Sequence, residues 1–224
     1  MYELMENNKV FLMGKVVSEP KFSHDVYGEG FYELNLEVPR LSDHSDIIPI
    51  TVSERLLENQ FKLGSMVGVR GQFRSYNKVA DDKSKLMLTV FVRELAEYDD
   101  SINPNIIELS GYLCKAPIYR TTPFKREICD MLLAVNRAYN KSDYLPCIAW
   151  GRNARFAKAI EVGSRVFLVG RIQSREYQKR LNDDMMLTKT AYEISVNKLS
   201  VDGGAQKLSD TFDGFDIKTE ASGS

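Results

Sequence analysis

Four flat rings stand among cations in one part of this chain. Tyr139, Tyr144, Trp150 and Tyr177 are interspersed with Arg137, Lys141, Arg152, Arg155, Arg171, Arg175, Lys179 and Arg180. Within "YLPCIAW" side chains alternate in an extended strand, so Tyr144, Pro146, Ile148 and Trp150 share one face while Leu145, Cys147 and Ala149 take the other. A single nucleic-acid strand can lay its bases on such rings, at about 1–3 kcal/mol each, while its phosphates follow the cations. Arg120, Lys125 and Arg126, a little upstream, extend the set of candidate phosphate contacts. The competing chemistry is internal, because Trp and Tyr in β-proteins also pack against cross-strand neighbours.

The distribution of charge favours the first chemistry. The net charge of −1 conceals three blocks. Residues 1–101 carry 12 Lys/Arg against 17 Asp/Glu, residues 102–201 carry 16 against 9, and residues 202–224 carry 2 against 5. The rings therefore lie in a block of net charge +7, between an acidic block and an acidic tail.

The elements that must position these residues come in two copies. "NKVFLMGKVVSEP" from Asn8 parallels "NIIELSGYLCKAP" from Asn105, with Gly14 and Pro20 matching Gly111 and Pro117 at an offset of 97. "LGSMVGVRGQFRS" from Leu63 parallels "VGSRVFLVGRIQS" from Val162, with Gly64, Ser65 and Gly71 matching Gly163, Ser164 and Gly170 at an offset of 99. The repeating unit is about 95 residues long, and "DDSINPN" (Asp99–Asn105) has the composition of a linker. Each copy reads as three strands, a short helix and two more strands. Central glycines mark bends in the first and fourth strands. The helices fall in "SERLLENQFKLG", with Ser53 as N-cap, and in "RNARFAKAIEVG". The expected fold class is mainly β: two tandem five-stranded Greek-key barrels of the OB type, with a short helix between strands 3 and 4. The expected division is a divergent acidic barrel over 1–100, a basic nucleic-acid-binding barrel over 101–201 and a disordered acidic tail over 202–224.

On "LAVNRAYNKSDYLPCIAWGR" and "GSRVFLVGRIQSREY" the second copy, from about Asn105 to Val201, resembles the bacterial single-stranded-DNA-binding protein family, in the type with two OB folds per chain. That resemblance implies stacking positions at Tyr139, Tyr144, Trp150 and Tyr177, with phosphates held by nearby Arg and Lys. Pro146 stands where the family often carries a basic residue. At the corresponding places the first copy offers Leu41 or Ser42, Asp46, Val52 and Lys78. It is therefore expected to bind DNA weakly and to serve assembly or a protein partner. The resemblance further implies a homodimer with four barrels, roles in replication, recombination and repair, and a cytoplasmic, nucleoid-associated protein. Two other readings stay open: an accessory primosomal-type OB protein, and a protein-interaction scaffold. The family's tail ends in an acidic tip closed by phenylalanine. Here Phe212, Asp213, Phe215 and Asp216 are the candidate docking residues, internal to a tail that ends in Ser224.

No catalytic set is legible. His24 and His44 lie in acidic loops without metal-ligand spacing to Cys or carboxylates. Gly28 and Gly30 in "YGEGF" mark a hairpin turn without a following helix, and Asp183–Asp184 belong to a turn. Cys114, Cys129 and Cys147 show no C-x-x-C spacing and favour a reducing compartment. The expectation is a non-enzyme without metal or cofactor. The N-terminal "MYELMENNK" lacks the features of a signal peptide, and no stretch has the roughly 18 apolar residues of a membrane span.

Overall fold

The computed structural model describes residues 7–40, 42–57, 60–80, 83–99, 101–182 and 185–202. The candidate docking residues Phe212, Asp213, Phe215 and Asp216 lie outside them. The first half contains β1 (Asn8–Val16), β2 (Lys21–Val26), β3 (Glu29–Pro39), β4 (Ser45–Ser53), α1 (Glu54–Leu57), β5 (Met66–Ala80) and β6 (Lys83–Ala96). The second repeats that order as β7 (Asn105–Leu113), β8 (Ile118–Thr121), β9 (Glu127–Arg137), β10 (Lys141–Trp150), α2 (Arg152–Ala157), β11 (Arg165–Asn182) and β12 (Met185–Val201).

Each half closes into a barrel. In the first, β1 pairs with β3, β3 with β4, β4 with β6 in parallel, β6 with β5, and β5 returns to β1. The second closes in the same way through β7, β9, β10, β12 and β11. The interiors are filled by the alternate residues of these strands, such as Leu34, Leu36, Ile48, Ile50 and Phe73 in one and Leu133, Leu145, Cys147, Leu168 and Ile172 in the other. Ser53 caps α1 as its position suggests, its Oγ accepting from the Arg55 amide at 3.2 Å.

The structure adds two strands to the sequence reading. β2 continues the path of β1 beyond Pro20 and pairs with the beginning of β3, while β1 pairs with its end. β8 does the same after Pro117. One first strand per copy is thus broken in two at a proline, which cannot donate to a ladder.

The halves are joined edge to edge and related by a local twofold. β1 and β7 pair antiparallel with Asn8 opposite Leu109, Val10 opposite Ile107 and Leu12 opposite Asn105. Val10 and Ile107 are themselves repeat counterparts, so the axis passes through that pair. The equivalence extends to side chains. The Asn8 amide brackets the Phe73 backbone at 2.7 and 3.0 Å, and the Asn105 amide brackets Ile172 at 2.7 and 2.9 Å.

Candidate nucleic-acid interface

The outer face of the second barrel is built by strand alternation. On β10, Asp143, Leu145, Cys147 and Ala149 are buried, while Tyr144 and Trp150 are 47% and 38% exposed at the two ends of the opposite face. Ile148, between them, is buried. The register carries that face sideways: Trp150 lies opposite Ile128 and Tyr144 opposite Ala134 on β9, and Ile128 lies opposite Arg120 on β8. In the other direction Ile148 neighbours Ser195 on β12. The β12–β11 ladder then places Glu193 opposite Gln173, Ala191 opposite Arg175 and Lys189 opposite Tyr177. Tyr177, 39% exposed, therefore stands on the same face, out along the β11–β12 hairpin. Tyr139, 83% exposed, sits at the β9–β10 turn, where it and Asn140 take positive φ values of 60° and 53°. None of the four rings belongs to the core.

Local backbone chemistry fixes both ends of β10. After Trp150 the chain must leave the sheet for α2, and Gly151 does this at φ 53°, ψ −119°, a conformation closed to side chains with a Cβ. Its amide donates to the Glu127 carbonyl at 2.9 Å. At the other end the Tyr144 amide donates 2.8 Å to Ser75 Oγ, on β5 of the first barrel. The first barrel thus grips the strand that carries two of the rings.

The candidate cations fall into distinct settings. Lys125, Arg126, Lys141 and Arg152 are exposed and carry no ion pair with a described residue. Arg120 is paired with Asp130 at 2.9 Å, and Arg175 approaches Glu193 at 3.8 Å. Glu193 also accepts from Gln173 at 2.8 Å, leaving one carboxylate near the middle of the face. Arg155, in the last turn of α2, is tied to Glu127 at the start of β9. Arg137 and Arg171 belong to the seam between barrels, where they face Asp143 at 3.3 Å and Asp46 at 3.7 Å. The side chains of Lys179 and Arg180 lie outside the described residues. Phe124, 88% exposed in the basic hairpin tip "TTPFKRE" beside Arg120, is a further ring that a reading centred on strands passed over.

One expectation is corrected by the register. Val38 pairs with Asp46 and Phe31 with Ser53, as Val135 pairs with Asp143 and Ile128 with Trp150. The counterparts of Tyr144 and Trp150 are therefore Ile47 and Ser53, and not Asp46 and Val52. Asp46 is the counterpart of Asp143. Both aspartates are fully buried, and each reaches across the seam. Asp46 accepts from the Ser174 amide at 2.7 Å, and Asp143 from the Ser75 amide at 2.7 Å. Val52 is core.

The aspartates differ in their charged partners. Arg40 donates to both oxygens of Asp46, at 2.8 and 2.6 Å. Burial alone would raise that carboxyl, but the hydrogen bonds from Arg40 and Ser174 hold it below the ordinary range. Around Asp143 burial prevails over Ser75 and Arg137 and raises its carboxyl. Burial likewise pushes the thiols of Cys129 and Cys147 upward, away from nucleophilic chemistry. Among the described residues no three His, Cys, Asp or Glu side chains could hold a metal ion. No described helix is long and apolar enough to cross a membrane.

Two closed five-stranded barrels, one with exposed rings and cations across its outer face, define a β-barrel protein of the OB class. Residues 104–202 match the model of the single-strand binding protein family. Single-stranded DNA-binding protein A of Bacillus subtilis is 30% identical over 96 residues, 40% of this chain and 56% of that protein. Single-stranded DNA-binding protein 1 of Staphylococcus aureus is 32% identical over 92 residues, 38% of this chain and 55% of that protein. The chain thus spans little more than half the length of these relatives. The crystal structure of the wild-type single-stranded DNA binding protein from Thermus aquaticus shares the fold. It has a TM-score of 0.66 at 20% identity and covers 89% of this chain and 95% of that one.

Proposed function

We propose that this protein is a non-enzymatic binder of single-stranded DNA that coats and protects the strand during replication, recombination and repair. Bases stack on Tyr139, Tyr144, Trp150 and Tyr177, and phosphates follow Lys125, Arg126, Lys141, Arg152, Arg120 and Arg175. The observation that carries this reading is the exposure of three rings on one continuous barrel face, with the fourth at its turn. Sequence preference is weak, since every base offers a π-face. The second barrel is the binding domain. The first, with Ile47 and Ser53 at the two β4 ring positions, supports it structurally. Two chains associate into a homodimer of four barrels, as the family resemblance implies.

Alanine at Tyr144 or Tyr177 tests the stacking. Each substitution should weaken binding to oligo(dT) by about 1–3 kcal/mol while leaving thermal stability near that of the parent, because neither ring is in the core. Full affinity in both variants would remove these rings from the interface.

A further inference from the structure

The two sides of the seam are equivalent by the local twofold, yet only one is closed. On one side Arg40 is committed to Asp46 through two hydrogen bonds. On the other, Arg137 Nε and Asp143 Oδ2 lie 3.3 Å apart without hydrogen-bond geometry, and both atoms are buried with no hydrogen-bond partner. Buried polar atoms left unpaired are costly and call for an explanation.

Arg137 lines a cavity of about 630 Å³ on the first barrel, together with Arg74, Tyr76, Lys78 and Phe91. The Arg74 guanidinium lies 3.8 Å over the Phe91 ring, and its Nε is the third buried atom without a partner. Its Nη2 donates to Gln72 at 3.0 Å, and Arg93 shares that acceptor. Burial, followed by the neighbouring charges of Arg93 and Arg137, lowers the Arg74 pKa to about 10, with Asp143 opposing. The anion of the wall, Glu33, already accepts from Ser23 and Tyr76 at 2.8 and 3.0 Å. His24 and Lys78 complete the titratable groups of the wall. The cavity therefore presents under-paired guanidinium groups beside flat rings, which suits a phosphate joined to a base. It also adjoins the proposed interface, because its wall residue Ser75 is the one that holds the Tyr144 amide.

We propose that this seam cavity receives one nucleotide of the strand that crosses Tyr144. Its phosphate meets Arg74 and Arg137, and its base packs beside the Arg74–Phe91 stack and Tyr76. This rests on the single-stranded DNA reading above and gives the first barrel a contact of its own, although its family ring positions on β4 are lost.

The test uses the full chain and oligo(dT) series carrying one 5-iodouracil, photocrosslinked and mapped by mass spectrometry, with Trp150 fluorescence read in parallel. Oligomers long enough to cross the seam should crosslink to Phe22, Tyr76 or Phe91, while shorter ones quench Trp150 without that crosslink. Arg74→Gln should lower the affinity for long oligomers about tenfold, the loss of one charge-assisted contact. It should also flatten the log–log salt slope by roughly 0.7 and leave Trp150 quenching by short oligomers intact. Trp150 quenching with crosslinks confined to residues 101–201 would overturn the inference and spare the binding face. Thymidine monophosphate bound in an Arg74-dependent manner, without any gain from oligomer length, would overturn it in favour of a free nucleotide. Loss of both quenching and crosslinks would overturn it together with the reading on which it rests.

Discussion

Asp46 and Asp143 show how far a single residue's role depends on its partners. Both are buried carboxylates that accept from a strand amide of the other barrel, yet one is paired with Arg40 and the other is poorly paired with Arg137. Asp46, held below its ordinary value, contributes stability that is complete above the unfolded-state pKa of about 3.9. That contribution is lost as pH falls through the lower folded value. Asp143, raised by burial, has the opposite sign, and protonating it as pH falls relieves the fold. Asp46→Asn should therefore cost about 3 kcal/mol at pH 7, the lower end for a broken buried pair because Arg40 is partly exposed. It should also flatten the acid limb of the stability curve. Asp143→Asn should cost clearly less, and equal losses in denaturant melts of the two variants would contradict this assignment. The rings were legible in sequence because strand alternation alone puts Tyr144 and Trp150 opposite Leu145, Cys147 and Ala149. Asp46 was not. A carboxylate one residue away from a ring position looks like a lost ring until the β3–β4 register is known.

At the scale of elements, legibility followed apolar alternation. Strands that line a barrel show it, and their glycines mark the places where strands touch. β2 and β8 expose nearly all their side chains and carry no such period, so the sequence does not announce them as strands. The partition of cations between face and seam was equally hidden, since Arg137 and Arg171 differ from Arg175 only in what packs beside them. The β11–β12 hairpin that carries Tyr177 depends on a bulge at Val169 and Gly170. A Cβ on Gly170 would lie 2.3 Å from the Ser195 carbonyl oxygen, a backbone atom that cannot turn aside. Gly170→Ala should destabilise the protein by about 1–3 kcal/mol, the usual cost of overpacking, measured as a lower midpoint in urea. An unchanged midpoint would show that the hairpin can shift without loss.

For the whole molecule, the tandem repeat was visible as offsets of 97 and 99 residues, but the twofold that relates the barrels was not. It arises because β1 and β7 are repeat counterparts that pair antiparallel about Val10 and Ile107, giving one chain the self-complementary interface of a C2 dimer. A homodimer of such chains would bring four barrels together. Light scattering should then return about twice the chain mass of 25.5 kDa, and the mass of a single chain would refute the proposed assembly. The central claim is that the outer face of the second barrel holds single-stranded DNA. Trp150 is the only tryptophan, so its fluorescence reports that face alone. Titration with oligo(dT) should quench it, and raising the salt should weaken binding with a log–log slope near −0.7 for each phosphate contact. An unchanged signal at low salt, with no complex detected by gel shift, would contradict the account.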